Sequence, residues 1–173
     1  MDIFIEQLVK KKRDTLDYLK IAGGIVGAIL VIYLLGPLMG IIPAMGFVIL
    51  LVMVGLIYLL YLLITSVNME YEYAFTNGSL DVDAIINRRK RKRLTELEAK
   101  EIELMAKRSN PSFERYMNSA AYKKIYACAD KNGEDLYFVI YNQGGEGRML
   151  LFSPKEEIVE AFRKMNPQNV EVN

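Results

Sequence analysis

The chain has 173 residues and nearly balanced charge, 22 Lys and Arg against 21 Asp and Glu, so no global field steers it toward nucleic acid. It has no histidine and one cysteine, Cys128, which excludes most metal-ligand sets, any Ser–His or Cys–His pair within one chain, and an internal disulfide. The apolar content of 52% is unevenly spread: from Ile21 to Met69 no residue is charged.

Residues 1–18 hold Ile3, Phe4, Leu8 and Leu16 among acids and bases. That mixture predicts an amphipathic helix at a membrane surface, running into the apolar segment, or a solvated helical extension. As one helix, residues 21–64 would measure about 66 Å, roughly twice a hydrocarbon core of about 30 Å. A hairpin over 19–66 fits, with crossings near 19–36 and 44–64. The break is written in GPLMGIIP (36–43), where Pro37 and Pro43 remove donors and Gly36 and Gly40 loosen the backbone. A cleaved signal peptide would carry one short apolar region, whereas two follow each other here.

Orientation follows from the flanks. Lys10, Lys11, Lys12, Arg13 and Lys20 precede the first crossing, Arg88 to Arg93 follow the second, and the connecting turn has no cation. The positive-inside rule then places both termini in the cytoplasm of a multi-pass membrane protein. Gly23 and Gly27, folded level with Gly55, are expected to pack the two crossings together, or else to form a dimer face. No ionisable residue lies in either crossing to mark an ion path.

After residue 69 the period changes. YEYAFT (71–76) alternates, Asn77-Gly78 is a tight-turn signal, and SLDVDAII (79–86) alternates again. A strand of six or seven residues carries the chain roughly 20 Å out, and the next brings it back. NRRKRKR (87–93) is thus expected near the inner leaflet, beside the first basic cluster. Contact with anionic lipid is expected from Lys10, Lys11, Lys12, Arg13, Arg88, Arg89, Lys90, Arg91, Lys92 and Arg93, although alternation prevents all six of 88–93 from reaching lipid at once. The competing reading is a solvated loop. No aromatic stacking pattern accompanies the run, so no nucleic-acid partner is expected.

Residues 93–108 are ambiguous: composition favours a helix, while Ile102, Leu104 and Ala106 alternate like a strand. Residues 109–119 read as a loop with one helical turn. Strands are expected at 122–129, 136–142 and 148–153. A helix closes the chain, with Ser153 as cap, Pro154 at the first helical position and Glu156 completing a capping box. Its stripe is Ile158, Ala161, Phe162 and Met165, and Asn166-Pro167 stops it. Residues 167–173 are expected to form a loose tail.

About seven short strands closed by one amphipathic C-terminal helix is the element order of pleckstrin-homology-like (PH-like) domains. The resemblance rests on YEYAFTNGSLDVDAIINRRKRKRL (71–94) and RMLLFSPKEEIVEAFRKM (148–165). With the paired crossings, the chain is similar to an uncharacterised family of bacterial membrane proteins in which two N-terminal transmembrane helices precede a cytoplasmic PH-like domain. The resemblance implies a membrane α-helical hairpin plus a mainly-β (α+β) domain over 70–166, with 93–108 as two strands. It also implies a scaffold for recognising lipid or peptide; no residue here matches a phosphoinositide-binding motif.

Enzyme chemistry has little support. Asp81 and Asp83 could share a cation, but a solvated pair is the commoner arrangement. QGGEG (143–147) lacks the lysine and strand-to-helix setting of a phosphate loop, and Cys128 sits in an apolar strand with no basic partner. No catalytic residue, metal or cofactor is expected. The expected function is that of a non-enzymatic integral membrane protein whose PH-like domain is a membrane-apposed interaction module, a subunit or regulator of a membrane complex. Its expected partners are the bilayer and a membrane or cytosolic protein. The alternative is an anionic-lipid sensor using 88–93, and a third, remoter reading is a lipid-modifying enzyme.

Overall fold

A computed structural model describes residues 3–41 and 46–171. The chain divides into two compact units, one of residues 13–68 and one that combines the residues up to 12 with those from 69 onward. The apolar segment is therefore inserted into a β domain.

In the inserted unit, α1 spans Thr15–Leu35 and α3 spans Gly46–Ser66, with the short α2, Leu38–Ile41, between them. The α1 start is fixed by the Asp17 carboxylate, which accepts the Asp14 N–H at 3.1 Å in a capping box. At the end of α3 the hydroxyls of Thr65 and Ser66 each donate back to a carbonyl of the preceding turn at 2.8 Å, so these polar groups are satisfied within the helix. Both helices are long and apolar enough to cross a membrane, and few of their described residues are buried by protein. The expected break begins at Gly36 and Pro37. Pro43 and the expected start of the second crossing at 44 lie outside the described residues.

The glycines expected to pack the crossings together, or else to form a dimer face, lie clear of the other helix of the hairpin. A Cβ on Gly23, Gly27 or Gly55 would meet nothing within 4 Å, whereas one on Gly24 would sit 3.3 Å from a Leu63 methyl and 3.4 Å from one of Leu60. Spacing shows that glycines share a face; the rotation of each helix, which decides which face is inward, is set by the partner's side chains.

The second unit has two four-stranded sheets among the described residues. The first runs β1 (Phe4–Lys10), β2 (Met69–Thr76), β3 (Ser79–Ile86), β4 (Lys90–Glu98), all antiparallel neighbours. A 3-10 turn, Ala99–Glu101, leads to the second, built from β5 (Ile102–Lys107), β6 (Tyr122–Ala127), β7 (Tyr137–Gln143) and β8 (Glu146–Phe152) in the order β5-β7-β8-β6, with β6 parallel to β8. Helix α4, Phe113–Asn118, covers one face of the second sheet, and α5, Glu156–Met165, packs in the core between the sheets. The main core joins Tyr73, Phe75, Leu80 and Val82 to Val139, Leu150, Phe152 and Phe162. Phe75 meets Phe162 edge to face at 4.8 Å, and Tyr73 meets Phe152 at 5.6 Å. On the far side, Phe113 and Tyr116 of α4 pack on Phe138. At the β2–β3 turn Gly78 has φ 101°, a conformation that favours glycine, and a Cβ there would lie 2.8 Å from the sulfur of the flexible Met165 side chain at the end of α5.

Three expectations change. The amphipathic helix over 1–18 is instead β1 followed by the start of α1. Ile3, Ile5 and Val9 face the core while Phe4, Glu6, Leu8 and Lys10 are exposed, a period of two that a helical reading overlooks. The C-terminal helix has Lys155 at its cap, two residues beyond Ser153, with no side-chain cap hydrogen bond, and the Gln7 side chain of β1 ties down the segment leading into it. Gln7 accepts the Lys155 N–H at 2.7 Å and donates to the Ser153 carbonyl at 3.0 Å. The described tail is pinned: Val170 is buried beside Met105, whose N–H and C=O pair with Asn169 and Glu171. That seals the outer edge of β5.

Candidate functional site

The register of the first sheet decides where the basic run lies. Lys10 pairs with Glu70, Met69 with Ile86, and Ile86 with Lys90. The β3–β4 turn, residues 87–89, is therefore at the same end of the sheet as residues 10–12 and 69, where the chain leaves for α1 and returns from α3. Nearby, Lys12 donates its N–H to the Ala129 carbonyl at 2.7 Å and reaches the Asp130 carboxylate at 3.4 Å. Asp130 is held below the usual carboxylate range, first by the Asn132 N–H and then, against burial, by Lys12. Arg13 donates to Asn68 at 2.9 Å.

Half of the run is engaged with acids on the sheet's outer face. Arg91 meets Glu72 at 2.6 Å, and Arg88 lies 3.8 Å from Glu70. Arg93 meets Asp81, Asp83 and Glu96 at 3.1, 3.3 and 3.1 Å. The Asp81 charge foremost, with Asp83 and Glu96 behind it and burial opposing, favours the charged form of Arg93. Asp81 and Asp83 thus share a cation, but it is a guanidinium; among the described residues no cluster of acids and cysteine is arranged to hold a metal. A bulge opposite Val82 and Asp83 makes this possible. It lets Leu94 and Thr95 both turn inward, while Arg93 and Glu96 stay outward. Thr95 then meets the Tyr141 hydroxyl at 2.6 Å in the core.

Arg89, Lys90, Lys92 and Lys10 have no ion-pair partner among the described residues. The turn itself is unusual: Asn87 and Arg88 have φ of 52° and 54°, a region that asparagine tolerates and arginine does not favour. A shallow cavity of about 350 Å³ adjoins it, lined by Glu6, Glu70 and Glu72 as well as Arg88, Arg89 and Arg91, so its charge is mixed.

Two four-stranded sheets closed by a C-terminal helix now have a family to go with them: residues 1–172 match the family described as Bacterial PH-like domain (DUF6106). The chain belongs to that family. No curated protein and no solved structure matches it. PH-like domains are generally non-catalytic interaction modules, and with two candidate membrane helices this one is a membrane-associated module. In this chain α1 to α3 are inserted between the first two strands of the domain.

Two functional elements escaped the sequence reading. The β1 strand was legible in the alternation of 3–9. Gln7, which ties β1 to α5, had no signal, since a glutamine in a strand names no partner.

Proposed function

We propose that this chain is a non-enzymatic, membrane-anchored interaction module, a subunit or regulator of a membrane complex with both termini in the cytoplasm. The observation that carries the reading is the insertion of α1 to α3 between β1 and β2. It tethers the PH-like domain by two adjacent strands, so the domain cannot drift from the bilayer as it could on one flexible linker. Restricting a binding domain in this way raises its effective concentration toward partners in the same membrane. Crosslinking of intact cells followed by purification of the full chain in mild detergent should yield a larger complex. Recovery of the chain as a lone monomer counts against the proposal. A C-terminal tag digested by protease from outside intact spheroplasts would overturn the orientation.

A second reading, anionic-lipid contact, is favoured by the cations left without partners. Arg89, Lys90, Lys92 and Lys10 share the sheet end that joins the helices, and each cation close to an anionic surface contributes about 1 kcal/mol. Arg88, Arg91 and Arg93, turned to Glu70, Glu72 and the aspartates, contribute less to it. In nanodiscs, hydrogen exchange at 87–93 should slow with phosphatidylglycerol and not with phosphatidylcholine. Substituting Arg89, Lys90 and Lys92 by Gln should erase the difference, and an unchanged difference would sink the lipid reading.

A further inference from the structure

The outer edge of β1 is open. The Ile3 carbonyl accepts from Asn77 and the Lys11 N–H donates to Met69, so the odd-numbered residues of β1 spend their backbone groups on β2. In an antiparallel ladder the alternate residues then point theirs outward. The N–H and C=O groups of Phe4, Glu6, Leu8 and Lys10 therefore face away from the sheet, and no described residue pairs with them. The next outward N–H, of Lys12, is taken by Ala129, which marks where the open stretch stops. The corresponding edge of β5 in the other sheet is closed by the chain's own tail. Exposed Phe4 and Leu8 flank the open edge, at 66% and 60% exposure.

Beside this edge, under the core-facing side of β1, runs a groove of about 840 Å³ walled by Gln7 and Val9, the 134–135 loop, Tyr137 and the first turns of α5. Four carboxylates line it, Glu134, Asp135, Glu156 and Glu160, and none is ion-paired among the described residues. Lys107, Lys155 and Arg163 line it as well, Lys155 being paired with Glu157 outside the lining, so the wall carries a small excess of negative charge. The field is felt by Tyr137, whose hydroxyl is pushed above its ordinary value by burial first and then by Glu156 and Asp135.

We propose that β1 is a docking edge for an extended, basic segment of a partner protein, which adds as a fifth strand to the first sheet. This deepens the interaction-module reading and rests on it. The backbone groups at 4, 6, 8 and 10 supply the ladder, and alternate Lys or Arg side chains of the added strand, roughly 7 Å apart, enter the acidic groove. Acidic or neutral strands would satisfy the backbone but leave the carboxylates unpaired.

The full chain in detergent micelles is tested against an array of ten-residue peptides with Lys or Arg at alternate positions and apolar residues between, and against the same array with Glu. A subset of the basic peptides should bind, and the acidic array should not. On binding, hydrogen exchange should slow at the amides of Phe4, Glu6, Leu8 and Lys10. Leu8→Pro removes one outward donor without touching the β1–β2 ladder and should weaken binding at least tenfold. Glu134→Gln with Glu160→Gln, both exposed and clear of the ladder, should weaken it severalfold with a reduced salt dependence. Failure of every basic peptide to bind, protection gained elsewhere, undiminished binding by both variants, or pairing of two copies of the chain through β1 would each overturn the proposal. If a partner copurifies equally with Leu8→Pro and with the unaltered chain, the docking edge is wrong and the interaction-module reading stands.

Discussion

The inserted hairpin and the PH-like domain use the same apolar residues in opposite ways. In the hairpin, Phe47 and Ile57 are each 69% exposed, and only Ala28 and Ile49 are buried apolar residues among those described. In the domain, Phe75, Leu80, Val139, Leu150 and Phe162 are fully buried, and the outward faces carry charge. An aqueous protein cannot leave so much contiguous oil exposed, so the difference identifies the solvent each unit is built for. It also assigns where stability comes from: side-chain interlock and burial in the domain, close helix approach at Gly24 in the hairpin.

The two units should therefore fail separately. Phe162→Ala, which empties the space against Phe75, should cost the domain about 3–5 kcal/mol. Loss of β signal on heating the full chain should come early while the helical signal persists; concurrent loss of both would erase the distinction. Gly24→Leu should strain the hairpin by about 1–3 kcal/mol. Spin-label distances between α1 and α3 should widen in that variant and stay unchanged in Gly23→Leu, which faces no described neighbour. A shift in the domain's melting from Gly24→Leu would show the units to be coupled.

Alkali should act on the domain alone. Burial raises Tyr73 and Tyr141 above the ordinary tyrosine value near 10, and Tyr137 likewise. The folded state prefers their neutral form, so its stability is complete below that value and declines as pH climbs past it. The decline is about 1.4 kcal/mol per pH unit for each hydroxyl that stays protonated in the fold and ionises on unfolding. Tyrosinate absorbance and β signal should change together above pH 10, with the helices unaffected. The smallest effect expected is at the β3–β4 turn. Arg88→Gly relieves a left-handed backbone worth about 1 kcal/mol and gives up a long ion pair to Glu70, so the melting point should rise slightly.

Much of this was legible from residue order. The uncharged length of 21–69 announced the helices, Asn77-Gly78 the hairpin, and the stripe of Ile158, Ala161, Phe162 and Met165 the closing helix. The rest depended on contacts between residues far apart in the chain. The strand at 4–10 exists because β2 pairs with it, across the whole insertion. The segment leading into α5 is held by Gln7, and the outward turn of Arg93 depends on a bulge that no local pattern encodes. Of the ten cations expected at the lipid surface, Arg88, Arg91 and Arg93 meet acids of the same sheet, which a reading of one strand at a time does not see.

The placement of α1 to α3 between β1 and β2 bears on biosynthesis. On the topology proposed above, β1 emerges first and waits for the hairpin to be integrated before its ladder partner exists. Were only one of the two helices to cross, β1 and β2 would be stranded in different compartments and the first sheet could not assemble. On that topology, correct insertion is a precondition for assembling the first sheet.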